Sequence, residues 1–419
     1  MLTIAVPGFR HVTLGRARRR LTAPLRTRAR PERGTVPGLA DTTRKAAARP
    51  MRSLKHTTVL FVTSRTGPTL SRVERRWLPV MRALVAEQAT VLLVAAPNGP
   101  LVAPARQAGV TIAPYRVDRF NVWITRNRLR AYLKRYEPAI AFASGYHADI
   151  PLRLAARDLP VTVATSTYCG GWPYRGLGVL TTRGRQRLER RTRSRVDAFV
   201  VDNAVLAETL TADGVPLHKV HVVPPGVDVG DVSRASAVVL DLPGERPLIG
   251  YAGALERSRG LGTLAAAAPL IKERHPQVRV IVSGEGPARL GLLPASLDGR
   301  IELLGRAESV PALLSALDVC VFPTSESGIP TSLLEAAALG RPIVASDTLG
   351  MREVFAEGSE IVLVPQGNAE ALAEAVSDLL DDPGRAAALG AAARSRVLDD
   401  YAEPDLVRRW VTLLRSLSA

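Results

Sequence analysis

The chain has 419 residues, is 46% apolar and contains 33 glycines and 31 prolines, a composition typical of a globular protein with more than one domain. Its apolar stretches are far shorter than the ~20 residues that a membrane-spanning helix needs. The two cysteines, Cys169 and Cys320, lie far apart in sequence. This excludes a small disulfide scaffold and a cysteine-rich metal site.

The net charge of +17 is concentrated at the start of the chain. Residues 1–55 contain twelve arginines and two lysines against Glu32 and Asp41, so this segment contributes +12. Its apolar groups are too few to offset the entropy of ordering, and we predict a disordered basic tail. Its function stays open between an organelle transit peptide, contact with anionic lipid and an extension without a role. Nucleic acid is not an expected partner of this tail, because Phe9 is the only aromatic residue in residues 1–55 that could stack on bases.

From His56 onward, apolar runs alternate with segments of helical length. This alternation predicts a parallel sheet covered by helices on both faces. The predicted strands of the first half are 58–63, 90–95, 139–143, 161–165, 198–201 and 220–223. The predicted helices between them are 73–87, 128–136, 150–157, 182–195 and 206–213.

Residues 229–246 lose this rhythm and are predicted to link two domains. After them the alternation restarts, with predicted strands at 247–252, 278–283, 301–304, 319–322, 342–345 and 361–364. The predicted helices are 262–274, 310–316, 331–338, 351–354, 369–380 and 403–417. The sequence therefore predicts an α/β protein with two Rossmann-like, doubly wound domains, at 56–228 and 247–399, that face each other across a cleft. Residues 400–419 are predicted to pack back on the first domain. In such folds, ligands bind outside the carboxyl ends of the strands.

Two glycine-containing turns follow strands of the second half. The segment Gly253–Gly260 carries Arg257 and Arg259, and the next turn is Ser283–Pro287. Backbone N–H groups in such a turn can approach an anion, and arginine suits diphosphate oxygens. Solvated arginines and ordinary turn chemistry are the alternative interpretations.

The segment 323–335 is the most informative. Glu326 precedes a Gly-Ile-Pro turn, and Glu335 lies one turn inside the helix that follows. A glutamate near the start of a helix often serves as a capping partner. Glu335 is followed by three alanines, however, and a carboxylate near a packed surface needs hydrogen-bond donors. The two hydroxyl groups of a ribose would provide them.

These turns, together with 219–228, 332–345 and 363–372, resemble the retaining glycosyltransferases of family 4, which have the GT-B fold. The resemblance covers about 57–417, and it is the order and spacing of the motifs that makes it specific. It implies transfer of a sugar from a nucleoside-diphosphate sugar, with retention of anomeric configuration, to an acceptor that the sequence does not identify. No cofactor or metal is implied. A catalytically silent homologue that binds the nucleotide sugar is the alternative.

The resemblance also implies roles for individual residues. Arg259 would neutralise the departing diphosphate, and Glu335 would hold the ribose. The loop ending at Gly67 would close over the sugar from the first domain. The implied catalytic residues are Arg259, Arg257, Glu326, Ser327 and His147. The implied donor-binding residues are Gly67, Gly253, Gly284, Gly286, Arg306, Gly328, Ile329, Pro330, Thr331, Ser332 and Glu335.

The second domain departs from the family pattern in two motifs, the turn after Gly253 and the segment around Ser327. Ala254 replaces a basic residue and Arg259 replaces a lysine, so Arg257 is a second candidate for binding the diphosphate. Ser327 stands where the first glutamate of the family's E-x7-E pair is expected, with Glu326 displaced by one residue. Either a bulge restores the carboxylate or Ser327 bonds the sugar.

In the first domain Thr167 stands where a histidine is expected, and His147 is the nearest alternative. Tyr168 and Trp172 lie in an aromatic, glycine-rich loop. Their rings would either contact the acceptor or only pack within the loop. The following helix carries seven arginines between 183 and 195. They form either a solvated face or a contact with anionic lipid. We accordingly predict a cytoplasmic protein with peripheral contact at the inner face of the membrane.

Overall fold

The computed structural model of the protein describes residues 53–64, 72–117, 121–166, 179–236, 244 and 246–418. Most of the basic tail lies outside these residues, as do Gly67, Thr167, Tyr168 and Trp172. Both lobes described below belong to one compact unit. Within the described ranges, no helix combines the length and the apolar character that crossing a bilayer requires.

The first lobe is built on a parallel seven-stranded sheet in the order β3-β2-β1-β4-β5-β6-β7. Its strands are rich in β-branched residues and almost wholly buried, as expected of a sheet covered on both faces. The strands are β1 Thr58–Thr63, β2 Thr90–Ala95, β3 Thr111–Pro114, β4 Ile140–Ser144, β5 Thr162–Ser166, β6 Ala198–Val201 and β7 Val220–Val222. The helices are α1 Arg72–Ala86, α2 Val102–Gln107, α3 Val122–Tyr136, α4 Tyr146–Ala155, α5 Val179–Thr192 and α6 Ala204–Ala212.

The second lobe has a parallel six-stranded sheet in the order β10-β9-β8-β11-β12-β13. Helix α7, Val229–Ser236, precedes it. The strands are β8 Leu248–Ala252, β9 Arg279–Ser283, β10 Glu302–Gly305, β11 Val319–Phe322, β12 Ile343–Ser346 and β13 Val362–Val364. The helices are α8 Leu261–Arg274, α9 Arg289–Leu297, α10 Val310–Ala316, α11 Thr331–Ala338, α12 Leu349–Val354, α13 Ala369–Asp381, α14 Pro383–Asp400 and α15 Glu403–Leu417.

Helix α15 returns to the first lobe and becomes part of its core. The rings of Trp410 and Phe142 meet edge to face with centroids 5.0 Å apart, and Trp77 packs on Phe142 at 5.4 Å. All three side chains are buried. A parallel bridge between Val227 and Ala402 brings the chain back beside the point where it leaves the first lobe.

The two parallel sheets confirm the predicted fold class, while several elements differ from the prediction. Helices α2, α9 and α14 and strand β3 were not predicted; α14 begins with a proline and contains two glycines. Residues 229–236, predicted as part of an irregular connection, form helix α7. Prolines or glycines inside α2 and α9 lower the helical propensity of these short segments. Strand β3 has only four residues, too few for a clear apolar run.

Candidate active site

Two glycine turns at the carboxyl ends of β8 and β9 are packed directly against each other. Gly253 and Gly284 both have φ near +150°, a conformation that side chains rarely allow. A Cβ atom on Gly284 would lie 1.8 Å from the carbonyl oxygen of Gly253, and one on Gly286 would lie 2.5 Å from that of Leu255. Glycine is therefore required at 284 and 286 by the packing of one turn on the other, whatever these turns bind.

The short 3-10 turn Arg257–Arg259 holds two arginines in different settings. Arg257 is exposed, whereas Arg259 is only 6% exposed. The turn is hydrogen-bonded to the segment that follows β11, because Ser258 O accepts a hydrogen bond from Ser325 N at 2.9 Å. Gly260, with φ +64°, closes it, and a Cβ atom there would lie 1.8 Å from Pro323 O. Arg259 is thus held rigidly against the loop between β11 and α11, residues 323–330, which we call the β11–α11 loop.

The buried guanidinium of Arg259 is incompletely paired. Its Nη2 lies 3.7 Å from Glu326 Oε2, which is the long end of the ion-pair range. Its Nη1 is buried and, among the described residues, has no hydrogen-bond partner. A buried cation with an unused donor is costly unless an anion completes its coordination. The site at Arg259 therefore fits an anionic ligand.

Glu335 sits one turn inside α11, on the same helix face as Ser332. That face lies against the end of β8, since a Cβ atom on Gly253 would be 3.1 Å from Ser332 Oγ. Glu335 is 7% exposed. Burial raises the pKa of its carboxyl group, while the charge of Arg75 acts in the opposite direction. Sequence reasoning missed Arg75, which reaches over from α1 in the other lobe and brings its Nη1 to 3.7 Å from Glu335 Oε1.

The β11–α11 loop brings the displaced glutamate next to Arg259. Glu326 keeps its carboxylate beside Arg259, and its backbone N–H bonds Thr324 Oγ1 at 3.3 Å. The carbonyl of Ser327 accepts a hydrogen bond from Asn203 Nδ2 of the first lobe at 2.7 Å. The loop therefore presents the carboxylate one position early, and its next residue contacts the opposite lobe. Gly328, Ile329 and Pro330 are buried behind it, and Thr331 begins α11.

Other predicted residues lie at the periphery of this arrangement. Arg306 is exposed and follows β10. His147 is part-buried on α4 and meets the ring of Tyr146 edge to face, with centroids 5.5 Å apart. Tyr251, which the sequence analysis did not single out, donates its hydroxyl to Ala254 O at 2.9 Å and so braces the first glycine turn.

Two family models match the chain in succession. Residues 73–231 match the model described as Glycosyltransferase Family 4, and residues 246–382 match that described as Glycosyl transferases group 1. The chain belongs to the family 4 glycosyltransferases. The boundary between the matches falls between β7 and β8, where the structure passes from one lobe to the other.

Curated relatives include named glycosyltransferases, and solved structures share the fold. The D-inositol 3-phosphate glycosyltransferase of Corynebacterium urealyticum is 31% identical in an alignment 248 residues long, which covers 52% of this chain and 58% of that protein. The chain spans less than two thirds of the length of the first curated relatives it matches. The sucrose-phosphate synthase of Thermosynechococcus elongatus shares the fold with a TM-score of 0.71 at 19% identity, over 86% of this chain and 99% of that one. Anabaena HepE, solved with UDP and glucose, superposes with a TM-score of 0.69 at 16% identity, over 86% and 99%.

Proposed function

We propose that this family 4 protein is an active retaining glycosyltransferase that uses a nucleoside-diphosphate sugar as donor. The observation that carries the proposal is the buried, incompletely paired guanidinium of Arg259, held beside the turns at the carboxyl ends of β8 and β11. A diphosphate there would meet the unused Nη1 donor. The separately solved complex of HepE with UDP and glucose, on the same fold, is consistent with this ligand class.

The charge on Arg259 is suited to stabilising the leaving group. When the bond between the sugar and the diphosphate breaks, negative charge grows on the phosphate oxygen. Two unit charges ~4 Å apart interact by about 4 kcal/mol at an effective dielectric constant near 20. A fixed cation of this kind contributes roughly 10²- to 10³-fold to a rate, as other preorganised charge stabilisers do.

Glu335 would bind the nucleotide end of the donor. The carboxylate of Glu335 can accept hydrogen bonds from two vicinal ribose hydroxyls, and these would satisfy the buried charge better than an arginine at 3.7 Å. Arg75 is about half exposed, so it can move aside when the ribose hydroxyls replace it at Glu335. The turns at Gly253 and Gly284 bring backbone close to the space between Arg259 and Ser332.

The direct test is incubation of the purified chain with a panel of nucleoside-diphosphate sugars. We expect release of nucleoside diphosphate from at least one donor, by slow hydrolysis or by transfer to an added acceptor. NMR of the product should show the donor's anomeric configuration. Binding of nucleotides without turnover of any donor would favour the alternative, a catalytically silent binding subunit. The substitutions at Ala254 and Ser327 are the sequence features that favour this alternative.

We further propose peripheral contact with an anionic membrane through the first lobe. Helix α3 carries five basic and no acidic residues, and near its start Trp123 is 64% and Ile124 54% exposed. A cavity of about 400 Å³ opens beside them, lined by Asn121, Val122, Trp123, Leu154 and Leu188. Each basic residue near an anionic surface contributes about 1 kcal/mol, and tryptophan suits the interface between lipid and water.

Sedimentation with vesicles tests this contact. We expect binding to vesicles that contain phosphatidylglycerol and little binding to pure phosphatidylcholine. Replacing Trp123 and Ile124 by alanine should weaken the binding. The matched control is Leu297→Ala, which removes an apolar side chain that is 86% exposed on α9 in the other lobe. Equal loss in the control, or no preference for anionic lipid, would contradict the contact.

A further inference from the structure

Besides the approach of Arg75 to Glu335, the lobes also meet at the first turn of α6. Asn203 is its N-cap residue, is 1% exposed and accepts a hydrogen bond from Leu206 N on Oδ1 at 2.9 Å. Its side chain therefore has a fixed orientation. The other end of the same amide, Nδ2, donates to Ser327 O in the β11–α11 loop at 2.7 Å. One buried side chain thus caps a helix of the first lobe and holds a loop of the second.

The second lobe contacts the same helix end with a carboxylate. Glu353 of α12 accepts hydrogen bonds from Ala204 N at 2.8 Å and from Val205 N at 3.4 Å. Together with Asn203, it satisfies the first three N–H groups of α6, which no carbonyl inside the helix can reach. A carboxylate at a helix N-terminus is also favoured by the helix dipole. The lobes are therefore joined by specific polar contacts at this point.

The packing around Ser327 leaves its carbonyl no alternative position. A Cβ atom on Gly350, in the first turn of α12, would lie 1.9 Å from Ser327 O and 3.1 Å from Asn203 Nδ2. The carbonyl is enclosed between α12 on one side and the Asn203 amide on the other. Asn203 is itself anchored, because the preceding Asp202 is buried and ion-paired with Arg76 of α1.

We propose that Asn203 is a positioning residue which fixes the β11–α11 loop, and with it Glu326 beside Arg259, only when the lobes are docked through α6 and Glu353. Asn203 itself touches neither donor nor acceptor in this arrangement. Its contribution to glycosyl transfer rests on the proposed function, whereas its control of the loop does not. Docking of the lobes would thus set the geometry at the diphosphate.

The primary test is hydrogen exchange of the chain without substrate, followed by mass spectrometry of peptides that cover residues 325–330. In Asn203→Ser the hydroxyl still caps α6, but it is too short to reach Ser327. We expect faster exchange in this loop. The matched control is Asn368→Ser, since Asn368 caps α13 through Ala371 N in the same way and is exposed. Unchanged exchange in Asn203→Ser, or an equal increase in the control, would overturn the proposal.

Kinetics provide the readout that a purely structural role would not give. We expect the kcat of Asn203→Ser to fall roughly 5- to 10-fold, as for loss of one buried hydrogen bond. The affinity for nucleoside diphosphate should stay within about twofold, because Glu335 is untouched. Asn203→Asp keeps the side-chain shape and the helix cap but cannot donate a hydrogen bond to Ser327 O. Its kcat should fall at least as much as that of Asn203→Ser. Wild-type kcat in Asn203→Asp, or a parallel loss of nucleotide affinity in either variant, would contradict positioning.

The role of Asn203 can still be tested if the proposed function fails or if the variant does not fold. If the wild-type chain turns over no donor, the proposed function fails, while loop exchange still decides the role of Asn203. If Asn203→Ser does not fold, Gly350→Ala displaces the same carbonyl from the opposite side and should produce the same faster exchange at 325–330. Unchanged exchange there would count against the proposal.

Discussion

The two lobes bury charged side chains in different ways. Among the described residues, the first lobe buries six: Glu74, Arg76, Asp149, Arg153, Glu189 and Asp202. Five of them form ion pairs in which both members are buried, Arg76 with Asp202, and Arg153 with both Asp149 and Glu189. Of the charged side chains that the structure describes in the second lobe, only Arg259 and Glu335 are buried, and the ion partner of each lies at 3.7 Å.

We interpret this difference as one between charges that hold the fold and charges that would bind the proposed donor. A buried ion pair with good geometry neutralises itself and needs no third group. Arg259 and Glu335 have only long contacts, and Arg259 keeps an unused donor. Substitution should therefore affect stability in the first lobe and binding or rate in the second. Four measurements would test the contrast, beginning with the largest expected effect.

Asp202→Ala should destabilise the protein most. It leaves Arg76 buried, without the carboxylate that receives two of its hydrogen bonds. We expect the free energy of unfolding to fall by about 3–5 kcal/mol, measured by denaturant titration. Arg76→Met combined with Asp202→Leu removes both charges and should recover much of the loss. If the single variant were as stable as the wild type, the first lobe's pairs would not be structural.

Arg259→Ala should act on rate instead. We expect turnover of the donor to fall about 10²- to 10³-fold, with the free energy of unfolding changed by less than about 1 kcal/mol. The control is Arg257→Ala in the same turn, where the arginine is exposed and the rate should change less than about threefold. Equal losses in the two variants would mean that burial does not distinguish them.

Glu335→Gln should weaken donor binding by roughly ten- to a hundred-fold, because hydrogen bonds to a charged group contribute about 1.5–3 kcal/mol. Stability should not fall, since the neutral amide removes a buried charge that burial already disfavours. Calorimetric titration with nucleoside diphosphate and thermal unfolding would measure the two effects. A large loss of stability would place Glu335 with the structural charges of the first lobe.

The pH dependence of binding should be the smallest effect. Because burial raises the pKa of Glu335, its carboxylate takes up a proton at a higher pH than an ordinary glutamate. A protonated carboxyl accepts ribose hydrogen bonds less well, so nucleotide affinity should fall on acidification, before exposed glutamates titrate. In Glu335→Gln this dependence should disappear. Calorimetric titrations at several pH values would show it, and an unchanged profile in the variant would assign it to another group.

The fold and most motif positions could be predicted from the sequence. The apolar runs give the parallel strands, and the predicted helix 310–316, strand 319–322, helix 331–338 and helix 403–417 coincide with α10, β11, α11 and α15. These segments have a continuous apolar run or clear start and stop residues, so their hydrophobic pattern distinguishes helix from strand. The elements that escaped prediction are short or contain proline or glycine, and packing stabilises them more than propensity does.

The candidate site could be predicted only in part. The sequence pointed to the turns with Gly253, Arg259, Glu326 and Glu335, since chain order places each after a strand. It left Arg257 as a second candidate beside Arg259, and burial in the folded protein distinguishes the two arginines. The role of Glu326 also depended on how the β11–α11 loop bends.

What the sequence by itself determined is the arrangement of strands and helices, because hydrophobic periodicity and turn residues act over a few neighbouring positions. Tertiary structure alone decided which groups meet between the lobes. Arg75 approaches Glu335, and Asn203 bonds Ser327, 124 positions away. Such pairs have no local pattern, because their contact depends on how two separately folded sheets dock.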